Sequence, residues 1–281
     1  MSPYPDHTLH AIVVNLMAAE DGFTPLTQGP LAQAAFLDLV QAADPDLAAH
    51  LHDDNQRKPY TISPLHNLPR ADERGRHVLK AGQRAWLRIT LLEPALFTAF
   101  FQRLFAEGPS LKLRIGGAQF LIESVLGAPG SHPWGGYTTT AALAEEAGSE
   151  RRVRMQFFSP TAMNRGQEGA ARKRMVLLPE PRMVFGSLRG AWNKLVGDDL
   201  PFEFERWAEE YVFVREVRSW QTGVYQLKGN VHIGGYGDVT FEALDAEPDW
   251  LRILNLLADF AFYSGVGAKT AMGMGQARRV G

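Results

Sequence analysis

The residues with the most chemical meaning lie in one run, Gly265-Val266-Gly267-Ala268-Lys269-Thr270-Ala271-Met272-Gly273-Met274-Gly275. Paired glycines at both ends leave the backbone unshielded. Such a backbone can take positive φ, approach a ligand closely and aim N–H groups at phosphate oxygens. Lys269 adds a point charge between the glycine pairs. Two nucleotide motifs fail on frame: a dinucleotide fingerprint needs glycine where Thr270 stands, and a Walker A loop needs glycine at Tyr263 and Ala268. Glycine pairs in general more often mark a flexible turn, but four glycines flanking a lysine after a long helix favour phosphate binding. Proton-transfer chemistry points to histidine, whose ordinary pKa of about 6.5 keeps both forms available near neutral pH. His50 and His52 stand together, but two residues apart on a helix they point about 200° from each other, so one of them at most faces a given site. His52-Asp53-Asp54 offers donor types for a divalent cation. A metal-dependent phosphohydrolase would need further histidines and carboxylates on a helical bundle, and this chain reads as mixed α and β. His10, His66, His77, His132 and His232 show no ligand spacing and read as surface or satisfied side chains. No metal and no cofactor is called for.

Those residues must be held by something larger than one small core. The chain has 281 residues, enough for two compact domains of roughly 100 to 150 residues. Its 45% hydrophobic and 21% charged content is that of a globular protein, excluding disorder. The most apolar stretch, Leu251 to Phe262, is interrupted by Arg252 and Asp259, so no membrane span is expected. Met1 to Leu9 carries Asp6 and two prolines rather than a basic residue and an apolar run, against export. With no cysteine, disulfides, thiolate zinc sites and a cysteine nucleophile are excluded together, which fits a reducing cytoplasm. A net charge of −2 means that any surface for nucleic acid must be local. Basic clusters occur at Arg151, Arg152 and Arg154, at Arg172, Lys173 and Arg174, and at Arg278 and Arg279.

The periodicities give the order of elements. Leu9 to Met17 reads as a buried strand. Gln28-Gly29-Pro30 opens a helix with Ala32, Phe36, Leu39 and Val40 on one face. Asp44 caps a second helix with Pro45 at its first position and Leu47 and Leu51 on its core side. Pro59 to Leu65 is extended, Arg70 to Arg76 is a loop, and Arg84 to Leu92 alternates as a strand. A helix from Pro94 to Ala106 and strands at Leu111 to Ile115 and Gln119 to Val125 follow. Gly127 to Gly148 lacks a period, which places the boundary between a domain at 1–127 and a second at 149–281. In the second, Val153 to Ser159 is a strand and Phe185 to Val196 a helix. Tyr211 to Trp220 should hairpin into Val224 to Lys228, and Asp238 to Leu244 forms another strand. Asp249 to Ser264 is amphipathic, and Gln276 to Val280 closes the series. Each half reads βαββαβ, the split βαβ order, giving an α+β protein of two tandem ferredoxin-like domains.

On these residues the chain resembles the CRISPR-associated endoribonucleases that trim precursor CRISPR RNA, part of the repeat-associated RNA-binding superfamily. Gly265, Gly267, Lys269, Gly273 and Gly275 match that family's C-terminal loop. Asp44-Pro45-Asp46-Leu47-Ala48 with Leu51-His52, then Lys58-Pro59-Tyr60-Thr61 and Ser63-Pro64-Leu65, resemble its N-terminal helix-to-strand signature. Gly82 and Leu87 to Leu92 resemble its next strand. Ser159-Pro160-Thr161, the Pro179 to Pro181 stretch with Phe185, Ser187, Leu188 and Trp192, and Gly234-Gly235-Tyr236-Gly237-Asp238-Val239 resemble second-domain landmarks, so the likeness spans nearly the whole chain. The resemblance implies cleavage within CRISPR repeat RNA by the neighbouring 2′-hydroxyl, without metal. It implies His52 as the catalytic histidine, Lys58 as a charge-stabilising partner, and RNA held by the glycine-rich loop; the basic cluster Arg172, Lys173 and Arg174, alone a solvated surface run, is the candidate to extend that RNA surface. Where some members carry a catalytic tyrosine the chain has Leu37, and Tyr60 is the substitute candidate. The expected partners are repeat RNA and other interference-complex subunits, with the chain a monomer or homodimer. The alternative is a non-catalytic subunit that holds the repeat.

Overall fold

The computed structural model describes residues 6–51, 57–108, 111–165, 174–197, 199–227 and 229–281. The chain divides into two compact units. One comprises Thr8–Tyr137 with Ala271–Gly273, the other Thr138–Thr270 and Met274–Gly281 together with Asp6 and His7.

The N-terminal unit is built around β1 (Thr8–Ala18). After a short β2 (Gly22–Pro25), the chain forms α1 (Gly29–Ala43) and α2 (Pro45–Leu51), β3 (Tyr60–Ile62), β4 (Arg76–Leu79), β5 (Arg84–Leu91), α3 (Pro94–Glu107), β6 (Lys112–Ile115) and β7 (Ala118–Leu126). Its main sheet runs β3-β5-β1-β7-β6, with β1 antiparallel to both β5 and β7. That is the ferredoxin-like order with β6 added outside β7, while β2 and β4 pair separately. Alternation on the strands sends Ile12, Val14 and Leu16 of β1 and Leu87, Ile89 and Leu91 of β5 to one face, where Phe36 of α1 and Phe100 of α3 complete the core. Proline opens both long helices where its missing N–H costs nothing. Asp44 caps α2 as expected, its Oδ1 accepting the Leu47 N–H at 3.0 Å.

The opposite sheet face holds an unusual buried cation. Arg88 is 1% exposed, donates from Nε to the Trp134 carbonyl at 2.9 Å and lies 5.4 Å from the centre of that indole. On the same strand Trp86 has His66 stacked at 4.0 Å and His132 edge-on at 5.0 Å.

The second unit begins with the last residues of β8 (Gly136–Thr139) and α4 (Thr140–Glu146), whose N-cap Thr139 accepts the Ala142 N–H. Structure therefore occupies part of the segment that showed no period. There follow β9 (Arg152–Thr161), β10 (Met163–Arg165), β11 (Arg174–Val176), α5 (Pro181–Val196), α6 (Glu203–Tyr211), β12 (Val212–Leu227), β13 (Asn230–Ala243), α7 (Pro248–Ser264) and β14 (Ala277–Arg279). The sheet order β12-β13-β9-β14, antiparallel throughout, is the same ferredoxin-like arrangement. Phe185, Leu188 and Trp192 of α5 and Leu254, Leu257 and Phe260 of α7 are fully buried against it, each contributing about 1.5–3 kcal/mol by leaving water.

The expected hairpin at Trp220 to Val224 is corrected. β12 is one strand through Leu227, and its pairing continues to Leu227↔Asn230. The suspected turn is instead a register shift between Arg218 and Gln221, with Ser219 at φ 52°. Glycines in β13 serve close approach: a Cβ at Gly234 would lie 2.7 Å from the backbone of Pro160, and one at Gly235 would meet the Trp220 ring at 2.1 Å. Helix α6 was not expected, although Phe204, Trp207 and Ala208 form its buried face at helical spacing.

Burial, with smaller contributions from His132 and Arg88, pulls the His66 pKa from 6.5 to about 4. The neutral ring therefore belongs to the native state, and the unfolded chain binds the extra proton between those two values. Stability should be complete above pH 6.5 and fall toward pH 4 by up to about 3 kcal/mol. His66→Phe, which keeps a stacking ring, should flatten that slope in urea titrations at several pH values. An unchanged slope would place the titrating group elsewhere.

Candidate functional site

The glycine-rich loop follows α7 and leads into β14. Left-handed φ values of 63° at Gly265, 81° at Gly267, 97° at Gly273 and 71° at Gly275 show why glycine stands there. Steric limits act at the same positions. A Cβ at Gly267 would lie 2.5 Å from the Ala162 carbonyl oxygen, and one at Gly275 2.2 Å from that of Val266.

The loop's amides are largely spent inside the protein. Gly265 donates to Ala261 at 3.0 Å, Val266 to Gly275 at 2.8 Å, Ala268 to Ala162 at 2.8 Å and Gly275 to Pro160 at 3.0 Å. Gly267 N–H donates to Ser187 Oγ at 2.9 Å, and Gln276 N–H to Ser159 Oγ at 2.9 Å. The glycines thus shape and dock a rigid turn on the end of β9 and on α5. Sequence reading named Ser159 and Ser187 as landmarks and missed that both anchor this loop. Lys269 projects from it, exposed, with φ 61° in a region that favours glycine. A 3-10 turn, Thr270–Met272, follows directly.

In the N-terminal unit, α2 ends at Leu51, whose carbonyl accepts a 2.6 Å hydrogen bond from Lys58 Nζ. The ammonium thereby satisfies one of the open carbonyls at a helix C-terminus and sits favourably in the helix dipole. Desolvation pulls the neighbouring Arg57 guanidinium down to about 10, so it stays cationic at neutral pH. His52, Arg172 and Lys173 lie outside the described residues, and Arg174 is described only by its backbone pairing with Arg165 in β11. His50 is exposed in the last turn of α2. Leu37 packs against the N-terminal core.

Tyr60 requires a correction. Its side chain is 0% exposed, its ring lies 5.0 Å from that of Phe36, and its hydroxyl accepts from Gln33 Nε2 at 2.9 Å. Burial raises its pKa, with Gln33 opposing. It is a core residue, placed inward by the pleat of β3 with its hydroxyl occupied by Gln33.

Several basic residues are likewise committed. Arg152 pairs with Glu242 at 3.0 Å, Arg154 with Asp238 at 2.5 Å, and Arg279 with both Asp259 and Glu150. Among the described residues no ion pair engages Lys269.

Residues 8–145 match the model of the CRISPR Cas6 N-terminal domain, and residues 155–277 match that of the CRISPR-associated endoribonuclease Cas6. The chain belongs to the Cas6 family. Its Cas6 fold aligns with a Cas6 product complex at 28% identity and a TM-score of 0.83, covering 98% of this chain and 100% of that one. A second Cas6 product complex aligns at 26% identity and 0.75, covering 98% and 100%. Thermus thermophilus Cas6 aligns at 25% and 0.73, covering 98% and 99%. No curated protein sequence matches the chain. Membership in Cas6 gives the chain the activity of a CRISPR-associated endoribonuclease that processes CRISPR RNA. No helix among the described residues is long and apolar enough to cross a membrane, and none of their His, Asp and Glu side chains group as a metal site.

The left-handed lysine at the loop tip makes a separable prediction. Lys269→Gly should raise unfolding stability by about 1 kcal/mol, because glycine takes φ near 60° without the Cβ penalty. Urea melts of the two proteins measure this, and an unchanged or lowered midpoint would mean that the lysine side chain contributes packing that offsets the strain.

Proposed function

We propose that this Cas6-family chain cuts precursor CRISPR RNA within its repeats by a metal-independent transesterification. The 2′-hydroxyl adjacent to the scissile phosphate loses its proton and attacks phosphorus, and the P–O5′ bond breaks. A proton is delivered to the departing 5′-oxygen, leaving a 2′,3′-cyclic phosphate and a 5′-hydroxyl. Such a step needs a proton carrier and positive charge at the phosphorane, and both can come from side chains.

His52 is the proton carrier in this reading. The observation that carries it is the Lys58 ammonium bonded to Leu51, the residue directly before His52. A cation held at that helix end, one residue before His52 in the chain, can supply the charge the phosphorane needs. Arg57 adds to the same local potential. Leu37 is apolar and Tyr60 is buried, so in this reading the imidazole passes the proton from one oxygen to the other or shares that work with water.

RNA is held in this proposal by the C-terminal loop. Gly265, Gly267, Gly273 and Gly275 give it a fixed shape, and Lys269 meets a phosphate at its tip. Arg172, Lys173 and Arg174, in and beside the connection between β10 and β11, extend the basic surface. The second reading, an RNA-holding subunit without nuclease activity, draws on Leu37 alone.

Labelled repeat RNA in excess EDTA separates the two. The nuclease reading expects a fragment ending in a cyclic phosphate, and bound but uncut RNA would support the holding subunit. His52→Ala should lower single-turnover cutting by about 10² to 10⁴ while leaving binding nearly unchanged; wild-type rates in that variant would remove His52 from the mechanism. Lys269→Ala should weaken RNA binding and reduce the slope of log affinity against log salt by about 0.7–0.9, the value of one phosphate contact. An identical slope would mean that Lys269 faces away from RNA.

A further inference from the structure

A second site lies in the C-terminal unit, at the open edge of its sheet. There β14 is the last strand, and a cleft of about 420 Å³ is lined by Leu143, Glu146, Asp259, Phe262, Arg278 and Arg279 among others. Nothing in the proposed cleavage uses it.

The chemistry of the cleft turns on Asp259, which projects from α7. Its Oδ2 accepts from Arg279 Nη1 at 3.1 Å, while Oδ1 accepts nothing among the described residues. The other arm of Arg279 is taken by Glu150 at 3.2 Å, and Arg278 Nε donates to Gln156 at 3.0 Å. Burial pushes the Asp259 carboxyl above its ordinary range in spite of Arg279, and Glu150 and Glu146 act in the same direction. A carboxylate with two oxygens and about four acceptor positions is therefore under-supplied with donors.

Charge narrows the ligand. Glu146 and Asp259 balance Arg278 and Arg279 in the lining, so the cleft has no net charge to draw in a phosphate, and the open Asp259 oxygen favours a neutral partner that donates N–H bonds. Phe262 and Leu143 offer apolar walls suited to a flat ring. Among RNA bases, guanine alone presents two adjacent donors, N1–H and N2–H2, on one edge. Adenine and cytosine set a lone pair beside their amino group, and uracil flanks its single N–H with two carbonyls. Only guanine can give a carboxylate two parallel hydrogen bonds.

We propose that this cleft takes a guanine base from a single-stranded stretch of RNA, read by the Asp259 carboxylate and sandwiched by Phe262 and Leu143. The proposal rests on the RNA-processing reading only for the source of the base. It would make the chain sensitive to the identity of one unpaired nucleotide, at a cleft whose lining takes in no residue of the glycine-rich loop.

Saturation-transfer NMR on the full chain tests it with the four nucleoside monophosphates, then with pentauridylate and the same oligomer carrying one central guanosine. The expected result is saturation of the GMP base at least fivefold above that of AMP, CMP or UMP, and saturation of the guanosine oligomer but not of pentauridylate. Asp259→Asn, which turns one acceptor into a donor, and Leu143→Trp, which fills the cleft without touching the carboxylate, should each abolish the preference. Equal signals for GMP and AMP, or a preference that survives Leu143→Trp, would overturn the site. A response to GMP with none to the guanosine oligomer would overturn RNA as the source. Cutting does not enter the readout, so a catalytically inert chain reports equally well.

Discussion

A backbone amide buried away from water must find an acceptor, and between Gly265 and Gly275 this requirement organises the C-terminal unit. The chain leaves α7, reverses through left-handed residues and enters β14, with most of the segment buried and Lys269 exposed. Its N–H groups are matched by carbonyls of Pro160, Ala162 and Gly275 and by the hydroxyls of Ser159 and Ser187. At about 1–3 kcal/mol for each buried donor left unmet, the loop has one stable way to sit. The ordering of this segment therefore takes place on folding, and a ligand arriving at it meets a formed platform.

That rigidity changes what the glycines are for. Their missing side chains permit turns and close backbone contact, with carbonyls 2.2 to 2.9 Å from where Cβ atoms would be. The outward group is Lys269, held at the tip by the same turn. A parallel economy operates in the N-terminal unit, where Lys58 both satisfies the end of α2 and brings a charge to it. In each unit a structural hydrogen bond fixes the position of chemically useful charge.

Much of this architecture was legible because prolines and periods agree. Pro30 and Pro94 open helices whose apolar faces repeat at helical spacing, and alternating strands such as Arg84–Leu91 declare their buried face, whereas α5 begins at Pro181, four residues before the Phe185 start that its apolar face suggested. The failures have local causes. Gly223 near Trp220 reads as a turn, whereas bulged pairing and a left-handed Ser219 let the strand continue. Helix α6 was hidden by its short length and acidic surface. In the candidate site, residue types pointed to the loop, but its anchors lie far away in sequence and no local pattern reveals them. Tyr60 looked available because a hydroxyl gives no hint of burial; only its partner Gln33, buried on α1, shows that it is occupied.

Hydrogen exchange resolved to single amides, without RNA and with an uncleavable repeat RNA, tests the formed-platform claim most directly. The account predicts that the amides of Val266, Ala268 and Gly275 exchange slowly in the free protein and change little on binding. Fast exchange in the free protein, slowed only when RNA is added, would contradict it and assign those amides to the RNA.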